Sequence, residues 1–272
     1  MTNTAIIPAN ERKLKNRVGI GFVIRNMFTF AYRALLKSFR NPETFMDITL
    51  MPIAFTLLFT YIFGGAISGD TASYLPIVIP GILMQTFIMN CATAGVQTRE
   101  DIDKSTTNRF KSMPIARIAP IAGILVADLV RYVIAGSVVF TVGHFIGFRP
   151  AAGILAIIAC IAFMTIFAWC LSWLFTYISL SMKTAAAASS TSILIMFPLI
   201  FLSNAFVPVE TMPSGLQFFV DKINPLTKAV AAIREMLIYG TIGTDFWFAI
   251  LGAMVILAIF IPLTVWKYMK RT

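Results

Sequence analysis

The chain has 272 residues, of which 58% are hydrophobic and 12% are charged, and its formal net charge is +10. This apolar fraction is larger than the core of a soluble domain requires, so the composition excludes an ordinary soluble protein and indicates an integral membrane protein. The basic residues lie beside apolar segments, where membrane topology and anionic lipid account for them. No nucleic acid partner is expected.

The apolar segments predict an all-α integral membrane protein with six transmembrane helices and an amino-terminal in-plane amphipathic helix. Residues 1–44 are assigned to a cytoplasmic amino-terminal segment and residues 45–272 to the transmembrane domain. The three cysteines, Cys91, Cys160 and Cys170, lie in apolar segments without metal-binding spacing, which predicts buried, reduced thiols. The predicted spans cover residues 45–63, 74–97, 118–148, 153–180, 184–204 and 246–266.

The amino-terminal segment lacks the short apolar core and small-residue cleavage site of a signal peptide, so we expect it to be retained. Residues 11–40 predict an amphipathic helix lying on the cytoplasmic surface of the membrane. The alternative is a basic surface anchor that contacts no protein partner. The apolar face carries Ile20, Val23, Ile24, Met27, Phe28, Ala31, Ala34 and Leu35, and the opposite face carries Arg25, Arg33, Lys37 and Arg40.

Thr98–Arg117 is the longest strongly charged interruption between apolar segments. Thr98 and Asp101 have the spacing of a capping box, which predicts the start of a short helix parallel to the membrane, and Pro114 prevents its simple continuation. Ile102, Phe110 and Met113 fall on one face of that helix. The segment is interpreted either as a contact for a soluble partner or as an ordinary solvated loop.

Polar side chains recur along the predicted second span at Thr86, Asn90, Thr93 and Gln97, which places them in one stripe. Together with Asn204, at the end of the fifth span, they line a pathway or pack against another helix. A second stripe, in the fourth span, is interpreted as helix packing; it contains Thr165, Trp169, Ser172, Thr176 and Ser179.

Asp128 and Arg131 are spaced to share one face of the predicted third span, near the inner membrane boundary. A paired acid and base is a favourable way to keep charge there, which predicts a structural ion pair; the functional alternative is a gate or a relay. His144 has no partner spacing that suggests a metal site, and we interpret it as an interfacial residue.

The predicted outer loop, residues 205–245, contains a helix of its own. Asn224-Pro225 is a typical helix start, and Leu226, Val230, Ile233 and Leu237 recur at helical spacing behind it. We expect this helix to lie at the outer surface.

Membrane orientation follows from the distribution of lysine and arginine. Most of the 22 basic residues lie in the two terminal segments, in Thr98–Arg117 and at Lys183, whereas the opposite loops contain few. The positive-inside rule therefore predicts that both termini are cytoplasmic, which agrees with an even number of spans.

Three segments carry a family resemblance: the basic in-plane helix, the charged segment ending in Ser-Met-Pro-Ile-Ala-Arg117, and Phe201-Leu-Ser-Asn-Ala-Phe-Val-Pro-Val-Glu-Thr-Met-Pro213 followed by Asn224-Pro-Leu-Thr. In these features nearly the whole chain resembles type-2 ABC exporter permeases of the daunorubicin-resistance kind. The resemblance implies that the charged segment couples the permease to a nucleotide-binding subunit. The coupling residues would be Arg99, Glu100, Asp101, Asp103, Lys104 and Arg109, with Arg25, Arg33 and Lys37. Family members often have a glycine in this segment, and this chain has none there.

The sequence contains no Gly-x-x-x-x-Gly-Lys-Ser/Thr phosphate-binding loop, so we expect the chain to have no catalytic residues, to bind no cofactor or metal, and to depend on a separate ATPase that holds ATP and Mg²⁺. The resemblance further implies a multi-pass permease of the plasma (inner) membrane that pairs with a second identical or related chain, contacts lipid, and exports lipophilic or amphipathic compounds. A lipid or polysaccharide exporter of the same superfamily is one alternative. A proton-coupled carrier and a non-transporting membrane scaffold are alternatives of other classes.

Overall fold

The computed structural model describes residues 20–64, 71–103, 119–206, 212–218, 220 and 224–271. Every regular element within these ranges is a helix. The helix Pro42–Leu58 continues into a π-helical turn at Phe59–Phe63. The helices are α1 (Ile20–Arg40), α2 (Pro42–Leu58), α3 (Thr71–Asp103), α4 (Ala119–Ile146), α5 (Gly153–Ser181), α6 (Ala185–Phe201), α7 (Ser214–Phe218), α8 (Pro225–Ile238) and α9 (Thr244–Arg271).

Five helical segments in the described ranges are long and apolar enough to cross a membrane. The fifth predicted span corresponds to α6, which has 17 residues and is therefore about 25 Å long, slightly shorter than a hydrocarbon core of about 30 Å. The multi-helix membrane class is confirmed, while the count of six spans and the orientation of the termini stay predictions. The five segments are Thr44–Ile62, Tyr74–Asp103, Ala119–Ile146, Gly153–Ser181 and Thr244–Lys270.

Helix α3 is the centre of the bundle. It packs against α2, α4, α5, α6 and α8. Its buried side chains include Leu83 and Phe87, and the Phe87 ring packs against that of Tyr132 on α4. Because so many helices contact α3, a displacement of this helix must affect most of the bundle.

The polar stripe of α5 contributes to packing inside the bundle. Ser172, Thr176 and Ser179 are fully buried, and the Tyr132 hydroxyl contacts Ser172 Oγ and lies 3.3 Å from Cys91 Sγ. The Ser172 hydroxyl therefore joins α5 to α4 at a place where water is excluded. The three cysteines are free and buried, as predicted.

Helix α1 packs along the first turns of α4. Gly123 allows the close approach, since a Cβ atom there would lie 2.5 Å from Phe30 Cβ and 2.9 Å from the Met27 carbonyl oxygen. The predicted apolar face is divided: Ala31 is buried, whereas Ile24 and Phe28 are exposed. The helix therefore contacts protein along one edge and presents apolar side chains outward along another.

The predicted capping box at Thr98 and Asp101 is wrong. Helix α3 continues without a break to Asp103, and Thr98 Oγ1 donates a hydrogen bond to the Ala94 carbonyl, 3.0 Å away, as in a helix interior. The ion pair between Arg99 and Asp103, one helical turn apart, favours this continuation. Residues 104–118, with Phe110, Met113 and Pro114, lie outside the described residues.

Candidate functional site

A cleft of about 310 Å³ lies between α2, α3 and α6. Thr86, Asn90 and Thr93 of the predicted polar stripe line it from α3. Gln97, the fourth member of the stripe, instead bonds to side chains of α2 and α4. The structure therefore divides the stripe between a cleft and a packing contact.

The lining of the cleft is mainly apolar with a few hydrogen-bonding groups. Among the lining side chains in the described ranges, only Asp47 carries a charge. Asn90 uses one amide hydrogen within α3, donating to the Thr86 carbonyl across 2.9 Å. Flexible methionines beside hydroxyl groups let such a cleft adapt to apolar molecules of differing shape. The apolar lining includes Met51, Phe55, Met89 and Met196, and the hydroxyl groups on α6 belong to Ser189 and Ser192.

The two helices that flank the cleft have exposed apolar faces. Leu50 and Met51 on α2 are about half exposed, and Ile193 and Leu194 on α6 are 46% and 72% exposed. A large apolar surface on a membrane protein is covered by lipid or by another apolar protein surface. One side of the cleft is therefore bordered by surfaces that lipid or another apolar protein surface covers.

A buried polar network lies between α2, α3 and α4. Arg131 Nη1 is 3.1 Å from Asp128 Oδ1 and 3.0 Å from Gln97 Oε1, and Gln97 Nε2 donates to Thr44 Oγ1 across 3.2 Å. Asp128 and Arg131 are only 1% and 4% exposed. Because an isolated charge is costly there, each member of the pair depends on the other.

The acidic and basic residues proposed for coupling form several contacts within the chain. Lys37 Nζ is 2.6 Å from Asp101 Oδ1, which joins α1 to α3. Arg99 Nη2 is 2.6 Å from Asp103 Oδ1 and also 2.6 Å from the Lys183 carbonyl oxygen, in the turn between α5 and α6. Arg99 is 7% exposed, so its side chain serves an internal contact rather than a free surface.

The other residues proposed for coupling fall in different places. Arg25 and Arg33 are exposed on α1, and Glu100 is partly buried on α3. Lys104 and Arg109 lie outside the described residues. The Lys183 carbonyl was missed from the sequence because a backbone acceptor leaves no side-chain pattern.

The two segments that carry the strongest family resemblance meet in space. Asn224 Nδ2 donates to the Leu199 and Leu202 carbonyls at the end of α6, 2.9 and 2.5 Å away, while Asn224 Oδ1 caps α8 by accepting from the Leu226 amide. Asn204 lies in this region rather than in the cleft lining, and its carbonyl accepts a hydrogen bond from Arg234. Asn204 is therefore part of the connection between α6 and α8.

His144 contacts a neighbouring cation instead of a metal-binding cluster. Arg149 Nη1 lies 2.5 Å from His144 Nδ1 and 3.1 Å from the His144 carbonyl oxygen. Within the described part of the chain, no group of three or more His, Cys, Asp and Glu residues is arranged to hold a metal ion.

The model of the ABC-2 type transporter family matches residues 25–238, which extend from α1 to the end of α8. The chain belongs to the ABC-2 type transporter family. The match includes the cleft, the buried network and the contact between α6 and α8. The permease is therefore a multi-pass membrane subunit of an ABC transporter.

Individual relatives agree with this assignment. The permease is 36% identical over 246 residues to the daunorubicin resistance ABC transporter permease protein DrrB1 of Streptomyces coeruleorubidus, covering 89% of this chain and 86% of the relative. It is 25% identical to the putative transport permease ycf38 of Cyanophora paradoxa, covering 86% of this chain and 81% of the relative. It is 22% identical to the probable doxorubicin resistance ABC transporter permease protein DrrC of Mycobacterium tuberculosis, covering 77% and 76%.

Proposed function

We propose that the permease is the membrane subunit of an ABC exporter that moves lipophilic or amphipathic compounds out of the cell, with both termini in the cytoplasm. The observation that carries the proposal is the cleft between α2, α3 and α6, which combines methionine and phenylalanine side chains with hydroxyl and amide groups. Such a lining suits an apolar molecule with a few polar groups, because the hydroxyl and amide groups of the cleft would pair with polar atoms of the cargo.

A second permease chain completes the cleft in this proposal. The cleft is open between two helices whose outer faces are apolar, and α2 and α6 would contact the same helices of an identical or related chain. Two such clefts facing each other would form a path screened from lipid by protein. The cleft of one chain is then half of the site.

The energy would come from a separate ATPase that holds ATP and Mg²⁺. No phosphate-binding loop motif occurs in the sequence. Such a partner would contact the inner end of α3 and α1, and the charged sequence of residues 104–118, which lie outside the described part of the chain. The names of two relatives associate them with resistance to daunorubicin and doxorubicin, which supports an amphipathic cargo.

The experiment is reconstitution in liposomes. The permease is co-expressed with candidate ABC ATPases, the complex is purified, and the movement of an amphipathic rhodamine dye is followed together with ATP hydrolysis. We expect ATP-dependent dye transport and dye-stimulated hydrolysis, both abolished when the phosphate-binding lysine of the ATPase is replaced by alanine.

The same assay separates the alternatives. Hydrolysis that responds to a phospholipid or polysaccharide substrate but not to the dye would indicate the alternative cargo class. Dye movement driven by a proton gradient without ATP would contradict the proposal in favour of a carrier. Purification free of every ATPase, with no transport, would favour a scaffold.

A further inference from the structure

The inner end of α3 is joined by hydrogen bonds to α2 and to the turn that precedes α6, the two helices that flank the cleft with α3. One bond starts from Gln97 and the other from Arg99, two residues further along. Since consecutive helical residues are about 100° apart, these two side chains leave α3 on nearly opposite sides. Gln97 therefore reaches α2, whereas Arg99 reaches the turn that leads into α6.

Gln97 connects α3 to α2. Its Nε2 donates to Thr44 Oγ1 across 3.2 Å, and Thr44 is buried in the first turns of α2. Arg131 donates to Gln97 Oε1 from the other side, which fixes the amide with its nitrogen toward Thr44. Asp47, which lines the cleft, follows Thr44 by three residues. A shift of Gln97 is therefore passed to the α2 side of the cleft within one helical turn.

Arg99 connects α3 to α6. Its guanidinium donates to the Lys183 carbonyl across 2.6 Å, and Asp103 holds the same nitrogen at 2.6 Å. Thr184, the next residue, caps α6 by accepting a hydrogen bond from the Ala187 amide across 3.2 Å. Ser189, on the α6 side of the cleft, follows within two helical turns. This partly buried hydrogen bond has a charged donor, and such bonds are short and strongly directional.

We propose that Gln97 and Arg99 are positioning residues that transmit a displacement of the inner end of α3 to both sides of the cleft. The inference rests on the proposed function, because it assumes that a partner displaces α3 from the cytoplasmic side. The ion pair between Lys37 and Asp101 also joins α1 to this end of α3. A single displacement thus acts on α1, α2 and α6 together.

The test measures each side of the cleft separately in the reconstituted complex. Single cysteines replace Met51 on α2 or Ser189 on α6, in a chain whose native cysteines are changed to alanine. The rate of modification by a membrane-permeant maleimide is compared without nucleotide and after trapping with ATP and vanadate. In the parent chain we expect the rate at both positions to differ between the two states.

The two connections make opposite predictions. Gln97→Leu should abolish the nucleotide-dependent difference at Met51→Cys and preserve it at Ser189→Cys. Arg99→Gln should do the reverse, and Arg99→Lys, which retains one charged donor, should restore part of the response. Lys228→Gln, which removes the ion pair with Asp245 at 3.2 Å, is the matched control and should alter neither position.

A general loss of structure would change the modification rate equally at Met51→Cys and Ser189→Cys. It is therefore distinguished from the loss of one connection, which changes the rate at one of these positions. The inference is overturned if both variants retain both differences, or if each variant loses both. Failure of the proposed function has another signature, namely a parent complex that neither hydrolyses ATP nor transports the dye, and the inference falls with it.

Discussion

Arg234 Nη2 donates a hydrogen bond to the Asn204 carbonyl oxygen across 2.7 Å, and so joins the helix of the predicted outer loop to the end of α6. The same nitrogen lies 3.2 Å from the Ile77 carbonyl on α3 and 3.3 Å from the Ala205 carbonyl. One guanidinium nitrogen therefore connects α8 with the end of α6 and with α3, its two hydrogens being shared among these carbonyl oxygens.

Arg234→Met should destabilise the permease, since it leaves these carbonyl groups without their charged donor. A hydrogen bond to a charged group is worth about 1.5–3 kcal/mol. Thermal unfolding in detergent can be followed with a thiol-reactive dye, because the three native cysteines are buried. The matched control is Arg149→Met, which removes an exposed cation whose hydrogen bonds within the described residues are with His144, itself exposed. An equal melting temperature for both variants would contradict the importance of the Arg234 contact.

Gly123→Ala should displace α1 from α4, because the new methyl group would overlap Phe30 and the Met27 backbone. Overpacking of this kind typically costs about 1–3 kcal/mol. The control is Gly21→Ala in the first turn of α1, where no other described group lies within 4 Å of the added carbon. The control should leave the melting temperature nearly unchanged. An equal shift in the two variants would show that the close contact at Gly123 is not limiting.

Asp128→Leu alone should be strongly destabilising, because it leaves Arg131 buried without its carboxylate. Loss of one partner of a buried pair typically costs about 3–5 kcal/mol, whereas replacement of both partners by apolar residues is often nearly neutral. The double variant Asp128→Leu with Arg131→Met should recover most of the lost stability, although the Arg131 bond to Gln97 is also removed. If transport also recovers in the double variant, the pair is structural; if the double variant is stable but inactive, the pair or its bond to Gln97 contributes to transport.

Ser189→Trp should block transport by filling the cleft, since Ser189 lines it on the α6 side. The neighbouring Ser190 is exposed and does not line the cleft, so Ser190→Trp controls for the introduction of an indole group in α6. Dye transport and dye-stimulated ATP hydrolysis are measured for both in liposomes. Equal transport by the two variants would show that the cargo passes elsewhere.

Labelling of introduced cysteines tests the membrane orientation. An impermeant maleimide added to intact cells should label Gly215→Cys, in the predicted outer loop, and should not label Lys270→Cys near the carboxyl terminus. The chain without an introduced cysteine gives the background labelling, because its three native thiols are buried. Reversal of the two labelling results would place the termini outside.

The membrane class, the family and most helices were predictable from the sequence. The composition of a segment and the length of its apolar run indicate whether lipid or water surrounds it. The structure also confirms the predicted helix that begins behind Asn224, in which Leu226 and Val230 are buried. These properties depend on local stretches of chain, so each is visible without knowledge of distant residues.

The roles of individual polar residues were decided only by the tertiary structure. Thr93 and Gln97 belong to the same predicted stripe, yet Thr93 lines the cleft and Gln97 bonds to Thr44 and Arg131. Arg99 was interpreted as a contact for a soluble partner, whereas its described acceptors are Asp103 and the Lys183 carbonyl. Helical periodicity gives the direction in which a side chain leaves its own helix, but the neighbour that it meets depends on packing between segments distant in the chain.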